Sequence, residues 1–122
     1  MTGDPEDRAD AWFHALADRT RRDILRRVLA GEHSVSTLAR SYDMSLTAVQ
    51  KHVAVLEGAG LITRRRSGRE SLASADGVEL RAVARLLTEL ESHWRDRITR
   101  IDALLAEEGS ADRPPAAAPP TP

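Results

Sequence analysis

The feature that most constrains this chain is an apolar seam in its last third. Leu80, Val83, Leu87, Leu90, Trp94, Ile98, Ile101 and Leu105 follow one another in steps of three or four. That spacing places all of them on one side of a single helix, close to the heptad period. The helix expected from it, about Asp76 to Glu107, is too long for a 122-residue chain to cover with its own domain. Its outer half, with Trp94, Ile98, Ile101 and Leu105, is therefore expected against a partner chain. Docking of the helix on its own domain is the alternative. A symmetric dimer is the economical solution. Its interface would hold Leu87, Leu90, Trp94, Ile98, Ile101 and Leu105, joined by Trp12, Phe13 and Leu16 from the start of the chain.

The remaining residues suffice for one domain with tails. Aromatic residues make up only 3% of the chain, so its core must come mainly from Leu, Val, Ile and Ala, which favours helices. Residues 1–6 are polar, with Gly3 and Pro5, and are expected to be disordered. The folded domain is expected over 7–108. In the tail, 109–122, "SADRPPAAAPPTP" holds five of the six prolines and nothing able to pack. There is no cysteine, which excludes disulfides, thiolate metal sites and thiol redox sensing. The acidic N-terminus lacks the apolar run of a secretory signal. No apolar stretch approaches the ~18 residues of a membrane span. A cytoplasmic protein without a membrane partner is expected.

Four helical segments precede the long one. Arg8–Leu16 places Trp12, Phe13 and Leu16 on one side. Asp18 can cap a second helix carrying Ile24, Leu25, Val28 and Leu29, and Gly31 can end it. Ser36 is the expected cap of a short helix with Leu38, Ala39 and Tyr42. After a break at Asp43-Met44, Ser45 can cap the next helix. On that helix Leu46, Val49, Val53 and Leu56 share one face, while Thr47, Lys51 and Ala54 point away, with Gln50 and His52 on the flanks. Gly58 and Gly60 stop it. A short helix, a tight turn and a helix with a polar outer face make a helix-turn-helix. Two packed helices of an all-α domain would satisfy the same spacing.

The segment after Gly60 favours the helix-turn-helix. "LITRRR" and "ESLAS" are strand-like runs separated by Ser67-Gly68, where Gly supplies the positive φ of a hairpin turn. A solvated edge hairpin would explain the polarity of Arg64, Arg65, Arg66 and Arg69, but not its sign. The net charge of −1 hides this asymmetry. Residues 35–72 carry six basic groups, including Lys51, the chain's single lysine, against three acidic ones, so this segment is +3 and the rest −4. The expected fold is mainly α with a small β-hairpin wing: a winged helix-turn-helix that dimerises through its first and last helices.

The run "ALADRTRRDIL…SVSTLARSYDMSLTAVQKHVAVLEGAGLITRRRSGRE" resembles the ArsR/SmtB family of bacterial winged-helix repressors, over about residues 12–105. The ending "HWRDRITRIDALL" is similar to a branch of that family that lacks metal ligands and often lies beside genes for START-like proteins. By this resemblance Ser45, Thr47, Gln50, Lys51 and His52 match the recognition-helix positions that face DNA. Many relatives have Ser where Gln50 stands, and Gln can bind adenine N6/N7 in a bidentate way. Arg64, Arg65, Arg66 and Arg69 match the wing. Their side chains alternate along the strand, so Arg64 and Arg66 face one way and Arg65 the other. The family's metal sensing does not transfer: its cysteines are absent, and the last helix offers one histidine, His93, near Glu89 and Asp96. No metal site and no cofactor are expected.

Nothing in the chain reads as an enzyme. It has no Gly-rich phosphate loop, no cysteine nucleophile and no HExxH motif, and His14, His33, His52 and His93 are scattered. The expectation is a homodimeric, sequence-specific repressor that binds an inverted-repeat operator in double-stranded promoter DNA. The alternative is a winged-helix interaction module that acts through its long terminal helix on a partner regulator. The sequence names no effector small molecule.

Overall fold

The computed structural model of the chain describes residues 4–112. The chain divides into two compact units, with the boundary between Ala84 and Arg85.

The first helix, α1, spans Pro5–Leu16. It starts earlier than its apolar pattern indicates. Asp4 caps it, accepting a hydrogen bond from the Glu6 amide at 2.9 Å, and Pro5 takes the first position, where no amide donor is needed. Asp4 to Glu6 thus have a defined structure where disorder was expected. Helix α2, Arg19–Ala30, is capped by Asp18, which accepts from the Arg21 amide at 3.0 Å. Ile24, Leu25 and Val28 are buried, but Leu29 is 55% exposed, so the buried face is narrower than the apolar one.

The free carbonyls at the end of α1 are taken by arginines of α2. Arg21 donates to the oxygens of Ala15 and His14, and Arg22 donates to that of Leu16. These bonds fix the corner between the two helices by satisfying groups that have no partner inside a helix.

A two-residue strand, β1, follows at His33–Ser34 and leads directly into α3, Val35–Ala39. Ser34, not the expected Ser36, is therefore the cap. Its backbone is extended, and its Oγ accepts from the Thr37 amide at 3.1 Å. Helix α4, Leu46–Gly58, is capped by Ser45, whose Oγ accepts from the Ala48 amide at 3.1 Å. Val49, Val53 and Leu56 are buried as expected, whereas Leu46 is 46% exposed. Helical side chains lean toward the N-terminus, so a residue at the first position projects past the helix rather than over a preceding turn.

Helix α4 ends in a Schellman arrangement. Gly60 has φ +80, its amide donates to the Glu57 oxygen, and the Leu61 amide donates to that of Leu56. The chain turns there into β2, Ile62–Ser67, and returns as β3, Glu70–Ala75. The antiparallel sheet has the order β1-β3-β2, with Arg64 opposite Ala73 and His33 on that strand's other side. The fold is thus a winged helix-turn-helix, with a third strand added to the expected hairpin.

Helix α5 spans Gly77–Asp112, and Asp76 Oδ1 accepts from the Val78 and Glu79 amides at its start. It runs past residue 108, and the rest of the tail, 113–122, lies outside the described residues. In the first unit Val83 is buried. Trp12, expected at a partner interface, is only 5% exposed within its own chain. A buried indole needs an acceptor, and Glu79 supplies one, its Oε2 lying 2.7 Å from Trp12 Nε1. Leu16 is half-buried and Phe13 is exposed. In the second unit Leu87, Leu90, Trp94, Ile98, Ile101 and Leu105 are all exposed.

Candidate nucleic-acid interface

The outer face of α4 is formed by Thr47, Gln50, Lys51 and Ala54, all exposed. The buried stripe of Val49, Val53 and Leu56 fixes their direction, because a helix held on one side must show the other. Ser45 stands at the tip of this face, with its hydroxyl oxygen committed to the cap. Leu46 adds an exposed apolar side chain beside it. The helical period had assigned Leu46 to the core, so nothing in the pattern marked it. His52 departs from the outward set. It is half-buried, with Nδ1 3.3 Å from Arg21 Nη1 on α2.

The hairpin tip is a two-residue turn. Ser67 pairs with Glu70, so Gly68 and Arg69 form the centre, one position later than the expected Ser67-Gly68. Gly68 has φ +62, and no non-glycine residue among those described has a positive φ, so only the first central residue is left-handed. This is the pattern of a type II′ turn, which matches the twist of the flanking strands.

The four wing arginines divide by what they touch. Arg64 donates through Nε and Nη2 to Glu57 Oε1 of α4, at 3.0 and 2.7 Å. Arg65 lies on the other face of β2 and grips both oxygens of Glu32, at 3.0 and 2.7 Å. Ser74 Oγ also donates to that carboxylate, at 2.9 Å. Arg65 first, and then Ser74, hold the Glu32 carboxyl below its ordinary range. Arg66 and Arg69 are exposed, and neither has an ion-pair partner among the described residues. Glu32 and Glu57 were not marked by the sequence: Glu32 meets Arg65 across 33 positions, and Glu57 meets Arg64 across the turn that ends α4.

A polar helix face thus stands beside a basic hairpin tip, on a fold that known proteins share. A family model described as a helix-turn-helix domain matches residues 16–65. The HTH-type transcriptional regulator Rv2034 of Mycobacterium tuberculosis is 37% identical over 100 residues, spanning 82% of this chain and 91% of that protein. The crystal structure of an ArsR family transcriptional regulator, RHA00566, superposes with a TM-score of 0.69 at 36% identity, covering 78% of this chain and 97% of that one. The chain belongs to the ArsR family. A more distant solved structure, at 24% identity and a TM-score of 0.59, is a homodimeric winged helix-turn-helix DNA-binding domain from Mycobacterium bovis. It covers 75% of this chain and 91% of that one, and shows the same fold.

This ArsR-family chain is thus a transcriptional regulator with a helix-turn-helix DNA-binding domain. Among its described residues no group of three or more His, Cys, Asp or Glu side chains could hold a metal ion. No helix among them is long and apolar enough to cross a membrane. An open cleft of about 440 Å³ in the first unit is lined by Asp7, Arg8, Ala11, Gly58, Ala59, Gly60 and Glu79. Its two most prominent charges satisfy each other, with Arg8 Nη2 2.7 Å from Glu79 Oε1.

Proposed function

We propose that this regulator is a homodimeric, sequence-specific repressor that binds an inverted-repeat operator overlapping a promoter. The observation that carries this reading is the pairing of an exposed α4 face with a hairpin tip whose Arg66 and Arg69 have no ion-pair partner among the described residues. On this reading the exposed Thr47 and Gln50 contact base edges in the major groove, and Gln50 can take adenine in a bidentate way. Lys51, Arg66 and Arg69 supply phosphate contacts, which give affinity without sequence preference. Arg64 and Arg65, also expected at the DNA, meet it only if they leave their carboxylates. Ser45 acts mainly by fixing the start of the helix, and His52 by its contact with Arg21.

Dimerisation is supported by the exposed apolar stripe of α5 and by the homodimeric state named for the Mycobacterium bovis relative. Two recognition helices related by a two-fold axis reach successive major grooves about 34 Å apart, which requires a palindromic site. Such a protein would work in the cytoplasm, where the chromosome lies.

The test is fluorescence anisotropy on duplexes from the region upstream of the protein's own gene, against random duplexes at several salt concentrations. The expected result is binding to one upstream fragment about 10³-fold or more tighter than to random DNA. Arg66→Ala and Arg69→Ala should each reduce the salt slope by about one. Equal affinity for all fragments would sink the repressor reading and favour an interaction module acting through α5.

A further inference from the structure

Two of the four wing arginines carry a carboxylate of their own chain, and the two pairs differ in kind. Arg64 gives both of its bonds to one oxygen of Glu57. Arg65 meets Glu32 fork to fork, Nε to one oxygen and Nη2 to the other, at 3.0 and 2.7 Å. A phosphate group offers that same edge of a guanidinium the same two acceptors.

The position of Glu32 decides which way Arg65 lies. Arg65 stands opposite Leu72 on β3, whereas Ser74, which steadies Glu32, stands opposite Thr63. The carboxylate lies between the two side chains, so Arg65 leans toward the base of the sheet, on the side of Ser74. The turn at Gly68 and Arg69 lies in the opposite direction. Arg65 nonetheless keeps 62% of its side chain exposed, so its bond to Glu32 is open to exchange.

We propose that Glu32 stands in for a DNA phosphate, holding Arg65 away from the hairpin tip and competing with the duplex backbone for it. This rests on the proposed DNA-binding role of the wing. The Nε/Nη2 edge of Arg65 serves one anion at a time, so each phosphate contact it makes requires release of Glu32. The acid in the loop between α2 and β1 thereby sets the affinity of the wing below what its arginines could deliver.

The experiment uses the full chain in four forms: unaltered, Glu32→Gln, Arg65→Ala and the double variant. Each is titrated by anisotropy against the upstream duplex and a random duplex over a salt series. Glu32→Gln should bind both duplexes several-fold more tightly, with the salt slope steeper by about 0.9, the value of one added phosphate contact. In the Arg65→Ala background the same change should give no gain, because no guanidinium remains to be released. Ser74→Ala, which loosens Glu32 without altering charge, should act in the same direction more weakly, and it serves if Glu32→Gln fails to fold. An equal gain with Arg65 removed would mean a general charge effect and overturn the proposal. So would weaker or unchanged binding by a Glu32→Gln protein that melts like the unaltered one. Failure of the unaltered protein to prefer its upstream duplex counts against the operator reading alone. Absence of any salt-dependent DNA binding overturns both.

Discussion

Tyr42 is the single tyrosine of the chain and sits just after the short helix α3. Its hydroxyl donates to Asp23 Oδ2 at 2.5 Å, and the Arg27 guanidinium lies 5.4 Å from its ring centre while also bonding Asp23. Burial, and then the bond to Asp23, push the phenol from 10.0 up to about 12. The raised value means that stability is complete below the unfolded value near 10 and is lost as pH rises through about 12. Asp23 has the opposite sign: Tyr42 first, then Arg27, hold its carboxyl below 3.8, so its contribution is present above that value and is lost on acidification. Phenolate absorbance should therefore titrate near 12 in the native protein and near 10 in urea, and Asp23→Asn should lower the native value. A native midpoint at 10 would show that neither the burial of Tyr42 nor its bond to Asp23 persists in solution.

At the scale of elements, the two left-handed glycines make a paired prediction. An added Cβ at Gly60 would lie 3.1 Å from the Glu79 side chain, while at Gly68 it would meet nothing within 4 Å. Both substitutions by Ala carry the backbone cost of a positive φ, of order 1 kcal/mol. Gly60→Ala must also shift the carboxylate that accepts from Trp12 and Arg8, so thermal melting should place it clearly below Gly68→Ala. Gly68→Ala should instead reduce DNA affinity, because its turn presents Arg69. The elements themselves were largely legible. Asp18 and Ser45 each stand before a clear helical period, and a cap followed by such a period is a local signal. β1 was not legible, since two residues show no alternation, and missing it put the expected cap of α3 at Ser36 instead of Ser34. At the interface, strand alternation correctly put Arg64 and Arg65 on opposite faces. It could not say that Glu57 and Glu32 wait on those faces, because that depends on which elements pack there. The burial of Trp12 in its own chain was not legible for the same reason: its apolar neighbours look alike whether a partner chain or Glu79 lies beside them.

At the scale of the whole molecule, the exposed stripe of α5 predicts assembly. Ile98→Arg or Ile101→Glu should leave the first unit folded and yield a monomer in sedimentation velocity. Operator affinity should then fall roughly 10²-fold or more, since two half-sites no longer act together. A dimer that survives both changes would place the interface elsewhere. The sheet has a further consequence, in the order in which the protein can be made. β3 is its central strand but the last to be synthesised, and β1 pairs with it across forty positions, His33 with Ala73. The acceptor for the Trp12 indole comes 67 residues after it. Such distant contacts close late, because the chain must lose the entropy of long loops before they form. A nascent chain that has emerged only through Gly58 already contains α4, yet β1 has no strand to pair with and Trp12 has no acceptor. The DNA-binding domain becomes whole only after Glu79 leaves the ribosome, so products truncated within the hairpin should be cleared by proteases rather than compete with finished molecules for DNA.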